Sequence, residues 1–236
     1  MRQTSPSSAQ CVSVRGDALR GRRWDPGFWL AETALPVPSR PLGDFIDHIT
    51  YGPIVTGRRP EPADEGIVII DQKAIRATGI VLDQAVTVAE GCAYDLPRCR
   101  LEPRDIVLCR SGAGTLAKKR FTVFDRRIRA TVSCFVDLIR LRDVNPYYVV
   151  TFLRSRPGWA QIERLINGVG TPNLSFGEIR SLRIPDLRPR DQDAVETAWK
   201  AIRRPHAQGQ LEAAERELDR AAAALECTLG LSGDDA

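Results

Sequence analysis

The sequence predicts an α+β protein: a β-rich body with small helices, followed by a long C-terminal α-helical, coiled-coil-like segment. Three observations predict it. Short apolar, β-branched runs recur between glycines and turns from residue 66 to residue 141. Helical spacing with good start signals takes over at Asn145. Beyond Pro189 the chain loses strand signals altogether and places Leu211, Leu218 and Leu225 seven residues apart.

Taken in order, residues 1–40 are rich in Ser, Pro, Gly and Arg and read as an irregular arm with one aromatic patch, "RWDPGFW" at 23–29. The body starts near "PLGDFIDHITYG" at 41–52. Ile67 to Ile70 form a strand-like run, and "GIVLDQAVTVAEG" at 79–91 carries further β-branched residues. "LEPRDIVLCRSG" is a turn followed by a strand. "KKRFTVFD" and "RATVSCFVDLIRL" predict two more strands, with "DRR" between them as a hairpin turn. Such density argues for a mixed or antiparallel sheet. Asn145 then caps a helix whose first turn holds Pro146, and its tyrosines are expected to pack inward. Pro157 breaks the run, and a second helix continues to Gly168. A short helix from about Ser175 and a closing strand at Leu182–Ile184 complete the body, expected over 41–190.

The helical segment, expected over 191–227, divides at Pro205. In its second half Leu211, Leu218 and Leu225 alternate with Ala214 and Ala221. That seam suits close pairing with another helix, of a second copy or of a partner; the alternative is an amphipathic helix packed on the chain's own body. Residues 228–236 are expected to be an acidic disordered tail.

With 236 residues, 43% hydrophobic and 27% charged, the composition is that of a globular protein. No apolar run approaches the roughly 18 residues of a membrane span, and the start lacks a signal-peptide core. A cytoplasmic protein without membrane contact is expected. The six cysteines form no CxxC pair and the two histidines lie far from any cysteine pair, so neither a metal site nor disulfides are expected. Cys109 and Cys134 fall in apolar strand patterns and read as buried small hydrophobes.

Charge is uneven. Residues 100–142 hold eleven Lys or Arg against four acids, a net +7, whereas 205–236 hold two Arg against seven acids, a net −5. The basic middle points to an anionic partner and the tail to a different task. Several loops each offer cations beside glycine: Arg58 and Arg59 in "TGRRPEP"; Lys73 and Arg76; Arg110, Ser111, Gly112, Gly114, Lys118, Lys119 and Arg120 in "RSGAGTLAKKR"; Arg126, Arg127 and Arg129 on the next turn. Cations on several loops, with glycines that admit close approach, can grip a phosphate backbone and reach base edges of double-stranded DNA.

Catalytic motifs fail on inspection. "NPYY" lacks the second proline of an adenine-N6 methyltransferase motif and falls at a helix start, with no glycine-rich S-adenosylmethionine turn upstream. "RSGAGT" lacks Walker spacing. No HExxH, Gly-x-Ser-x-Gly or convincing nuclease pattern occurs. No catalytic residue is assigned and no cofactor is expected on this chain.

The order Arg104–Thr115 (strand and "RSGAGT"), Asn145–Leu153 ("NPYYVVTFL"), Gln161–Gly168 ("QIERLING") and Pro172–Pro185 ("PNLSFGEIRSLRIP") resembles the target recognition domain of a type I restriction-modification specificity subunit, over about residues 41–190. The resemblance implies a non-catalytic module that reads a short DNA sequence and directs a separate adenine-N6 methyltransferase, which carries the S-adenosylmethionine, within a phage-defence system. Family members usually hold two recognition domains separated by long helices; this chain has room for one. It implies a half-subunit able to pair with itself through the 191–227 helices and to read a split, palindromic site. "RWDPGFW" resembles segments that open recognition domains linked to methyltransferases of other architectures. Two rivals stand beside this reading: a small methyltransferase or nuclease, and an interaction protein that does not read DNA.

Overall fold

Residues 13, 16, 35–56, 61–112, 114–166 and 173–231 are described by a computed structural model of the chain. The strands are β1 (Ser39–Pro41), β2 (Ile46–Tyr51), β3 (Pro62–Ile70), β4 (Ile75–Arg76), β5 (Gly79–Ile80), β6 (Val86–Val88), β7 (Ile106–Cys109), β8 (Phe121–Val123), β9 (Ala130–Val132), β10 (Val136–Leu141) and β11 (Arg183–Pro185). The helices are α1 (Pro146–Arg154), α2 (Arg156–Leu165), α3 (Phe176–Ser181), α4 (Pro189–Ala207) and α5 (Leu211–Thr228).

Three layers stack. The central one is a four-stranded antiparallel sheet in the order β2-β10-β7-β8. The alternation of β7 shows why it is central. Ile106 and Leu108 enter one core with Tyr148, Phe152, Trp199 and Leu218 of the helices. Val107 and Cys109 enter a second core with Ile70, Ala130 and Val132. That second core lies against a three-stranded sheet, β6-β3-β9, in which β3 pairs antiparallel with β6 and parallel with β9. A strand buried on both faces reads as a continuous apolar run, as "IVLC" does. A small β1–β11 ribbon ties residues 39–41 to the end of the body.

Helix signals act as their chemistry requires. The Asn145 side chain accepts from Tyr147 N at 3.0 Å and Pro146 opens α1. The same side chain donates to Glu196 Oε2 at 2.6 Å, and Asn145 N donates to Gln192 at 2.8 Å, so this cap also pins α4. Tyr147 and Tyr148 are buried, and the Tyr148 hydroxyl donates to Pro185 O at 2.7 Å. Ser155 caps α2, and Ser175 with Glu178 forms a capping box on α3. Asn145→Ala is expected to lower stability by about 1–2 kcal/mol, read from urea melts, since cap and interhelix bonds vanish together.

Six expectations change. The run 130–141 is two strands in two sheets: β9 joins β3, the chain turns at Ser133–Phe135, and β10 enters the central sheet. "DRR" is therefore no hairpin turn, because β8 pairs with β7 and β9 with β3; residues 124–129 cross between layers. Cys109 is fully buried, but Cys134 sits half-buried in the turn. Helix α4 runs through Pro205, whose missing N–H falls in the last turn, and the chain reverses at Gly209, with φ +73°. Finally, α4 and α5 are not a separate spacer. Trp199, Ile202, Ala214, Leu218 and Leu225 are buried in the same core as β7 and α1, while Leu211 and Ala221 are half-exposed. The heptad seam thus packs on the chain's own body, because α1 offers α5 an apolar face. Leu231 is also buried there, which shortens the expected tail. The "RWDPGFW" segment lies outside the described residues.

Candidate functional site

Antiparallel pairing of β7 with β8 returns residues 110–120 to one end of the central sheet. The turn after β3 reaches the same end, because β3 runs parallel to β9, which leads into the Ser133–Phe135 turn. Gln72 holds these three pieces together: its Nε2 lies 3.0 Å from Ser111 O, 3.4 Å from Thr115 Oγ1 and 3.4 Å from Phe135 O. One amide side chain thus clips two loops and a turn into a single surface.

Each loop is also fixed internally. Asp71 Oδ1 accepts from Lys73 N at 2.8 Å and Ala74 N at 3.2 Å, a local turn that aspartate favours. Arg76 Nη1 donates to Lys73 O at 2.6 Å. In the glycine loop, Thr115 donates its hydroxyl to Ser111 O, and Leu116 N donates to Gly112 O at 3.0 Å. Gly112 has φ +100°, a conformation that side chains resist, and a Cβ there would meet Thr115 Oγ1 at 2.9 Å. Ser111 bridges to Asn173, and Leu174 N donates to Arg110 O at 3.2 Å, so the segment before α3 borders the loop. Gly114 stands at the exposed tip.

The cations of this end differ in their freedom. Lys73 and Lys118 are exposed and have no ion pair among the described residues. Arg76 and Arg120 are half-buried, with Arg120 Nη1 3.4 Å from Gln72 O. Lys119 turns the other way. Its left-handed backbone, φ 53°, sends Nζ to 4.8 Å from the Trp159 ring centre and 3.5 Å from Arg154 O, on the helical layer. Burial, with the nearby Arg154 charge, holds its ammonium below the usual lysine pKa.

Arg110 is held from below. Its guanidinium carbon sits 4.5 Å from the Tyr51 ring centre and 5.5 Å from that of Phe176, leaving the side chain 20% exposed. Its Nε lies 3.6 Å from Asp137 Oδ1. Asp137 is fully buried on β10, and neither carboxylate oxygen accepts a hydrogen bond. Burial pushes its pKa up to about 7, against the opposing pull of Arg110.

Of the residues singled out in the sequence, the structure brings Lys73, Arg76, Arg110, Ser111, Gly112, Gly114, Lys118 and Arg120 to this one end. Gln72, Asp137, Tyr51, Phe135 and Phe176 were not singled out. An acid in the otherwise apolar start of β10 was the one signal available. Arg126, Arg127 and Arg129 stand at the opposite ends of β8 and β9, away from this surface. There Arg129 pairs with Glu90, Arg126 lies 3.6 Å from Asp125, and Arg127 is exposed. Arg58 and Arg59 lie outside the described residues.

Both histidines are tied into the fold. His48 Nε2 is 2.8 Å from Arg98 O, and His206 Nδ1 is 2.8 Å from Thr78 Oγ1. Among the described residues there is no group of three or more His, Cys, Asp or Glu placed to hold a metal. No described helix is long and apolar enough to cross a membrane.

No protein-family model and no curated protein matches the chain. Solved structures do. The type I restriction-modification S subunit from M. genitalium aligns with a TM-score of 0.51 at 13% identity, over 76% of this chain and 43% of that one. The HsdS subunit from Thermoanaerobacter tengcongensis aligns with a TM-score of 0.50 at 14% identity, over 84% of this chain and 46% of that one. The fold is therefore HsdS-like, α+β with C-terminal helices, and the chain spans less than half the length of either subunit.

Proposed function

We infer that this chain is a sequence-specific DNA-recognition subunit that directs a separate adenine-N6 methyltransferase, itself carrying the S-adenosylmethionine, to its site. The observation that carries the reading is the Gln72 clip: three chain segments bearing Lys73, Arg76, Arg110, Lys118 and Arg120 share one end of an HsdS-like fold. Exposed Lys73 and Lys118 would take phosphates. Arg76 and Arg120, braced by backbone carbonyls, have the rigid fork that reads guanine edges. Gly112 and Gly114 let the loop approach the duplex. In this reading the chain has no catalytic residue, and chemistry belongs to its partner. The body over 41–190 reads DNA, and the helices that follow serve assembly as well as the core. An apolar groove of about 280 Å³ between Val195, Ala198, Ala221 and Ala224, on the outer side of α4 and α5, is the face this reading gives to the methyltransferase.

The test is co-purification of the full chain from its host, then methylome sequencing with and without its gene. Loss of one methylated motif on deletion is expected; an unchanged methylome sinks the reading. Variants sharpen it. Lys118→Ala is expected to weaken all DNA sequences alike and to reduce the salt slope of binding by about 1. Lys119→Ala should leave the slope unchanged and act on stability, since its ammonium faces Trp159. Equal slopes for wild type and Lys118→Ala would remove this loop from the interface.

A further inference from the structure

Phe135 is 57% exposed, an unusual position for a phenyl ring. It is not on a loose loop. Phe135 O accepts from Arg110 N at 3.2 Å and lies 3.4 Å from Gln72 Nε2. Two residues earlier, Ser133 N donates to Ile70 O at 3.1 Å and Ser133 O accepts from Gly52 N at 3.2 Å. A Cβ on Gly52 would lie 1.9 Å from Val132 O, so the turn is tightly seated against that backbone. The ring therefore projects from a fixed frame.

It lines a groove of about 210 Å³ together with Ile69, Asp71, Val86, Val88, Tyr94 and the turn residues Ser133 and Cys134. Val86 is itself 46% exposed. Oδ1 of Asp71 is occupied by its own turn, and the side chains of Ile69, Val86, Val88 and Phe135 make the rest of the lining mainly apolar. Cations border one end of this patch: Arg110 N donates to Phe135 O, Arg120 Nη1 lies 3.4 Å from Gln72 O, and Lys73 of the turn after β3 accepts on its carbonyl from Arg76 of β4. Cations at the edge of a small, mainly apolar concavity disfavour an apolar protein face or a second basic copy of this chain. They fit an anion that carries a small apolar group. Duplex DNA meets this description: phosphates flank the major groove, and thymine alone among the bases presents a methyl group there.

We propose that Phe135 and the groove behind it read a thymine by contact with its 5-methyl group. This rests on the DNA-recognition reading above and names one specificity determinant within it. Phe135 supplies apolar contact without hydrogen-bonding capacity, so it distinguishes thymine from uracil, which is otherwise identical on that edge.

The experiment uses the full chain co-purified with its partner. A binding site is selected from a randomised duplex library, and each thymine of that site is then replaced in turn by deoxyuridine. For the wild type, one replacement is expected to weaken binding about fourfold, the value of one buried methyl-sized group. Phe135→Ala is expected to bind the thymine and uracil duplexes alike at that position, with an unchanged thermal midpoint because the ring is exposed. Neutral replacement at every thymine, or undiminished discrimination by Phe135→Ala, overturns the proposal, as does a selected site without thymine. The uracil series on the unaltered chain decides the matter even where the variant folds poorly. Failure to select any sequence would defeat the DNA reading itself; a selected site indifferent to uracil defeats only this inference.

Discussion

Asp137→Asn is expected to stabilise the protein at pH 8 by on the order of 4 kcal/mol and to have little effect at pH 4. The folded chain holds this carboxyl at a pKa of about 7, raised from 3.8 by burial, with only Arg110 opposing. Between those values the folded state keeps a proton that the unfolded chain has released. Stability therefore falls by about 1.4 kcal/mol for each pH unit between about pH 4 and pH 7, and stays level above. Asparagine has nearly the same shape and no charge to desolvate, so it removes that slope. Its amide can also lie against the Arg110–Tyr51 stack without the full cost of a buried anion. The measurement is a pair of urea midpoints, wild type and variant, across pH 4 to 8. Taking their difference cancels groups that act oppositely, such as Glu196, which Arg104 and Asn145 hold low despite the cost of its burial. A difference that does not change with pH would mean that Asp137 is already charged in the folded state at low pH and well solvated there.

What could be read from the sequence was whatever depends on near neighbours. Asn145 and Pro146 start a helix because a cap needs only the next two residues. Ser175 and Glu178 do the same for α3. The strand Ile106–Cys109 was visible because burial on both faces leaves an unbroken apolar run. Sheet membership was not visible. "ATVSCFV" reads as one strand, and only the distant partners of its two halves, β3 for Ala130–Val132 and β7 for Val136, force the turn between them. The site divides along the same line. Its cations and glycines announce themselves by type, but Gln72 matters through contacts 39 to 63 residues away, which no local pattern encodes. Lys118 and Lys119 are indistinguishable as letters. One backbone torsion separates them, leaving the first in solvent and laying the second on Trp159. The arginines at 126–129 share the composition of the site but stand at the far end of β8, since charge density along a chain carries no direction in space.

The heptad of α5 poses the same problem with larger energies, and Leu218→Ala is expected to settle it with a loss of about 2–5 kcal/mol. A repeat of Leu and Ala states that a helix has an apolar face; it is silent on what covers that face. Leu218, Ala214 and Leu225 are buried against α1 and α4, beside Trp199, whose indole donates to Thr151 Oγ1 at 2.9 Å. Truncating Leu218 there opens a cavity that a close-packed core refills poorly. Leu211 is half-exposed at the hairpin turn, so Leu211→Ala should cost less than about 1 kcal/mol by comparison. A seam within one chain also makes the urea midpoint independent of protein concentration, whereas a seam shared with a second copy raises the midpoint as concentration rises. The two readings therefore separate in one set of melts over a hundredfold range of concentration. A constant midpoint with a large Leu218→Ala loss assigns the seam to the core, leaving the outer groove at Val195 and Ala221 for any partner. A midpoint that climbs with concentration, and a Leu218→Ala effect that appears only in that climb, would return the helix to pairing between chains.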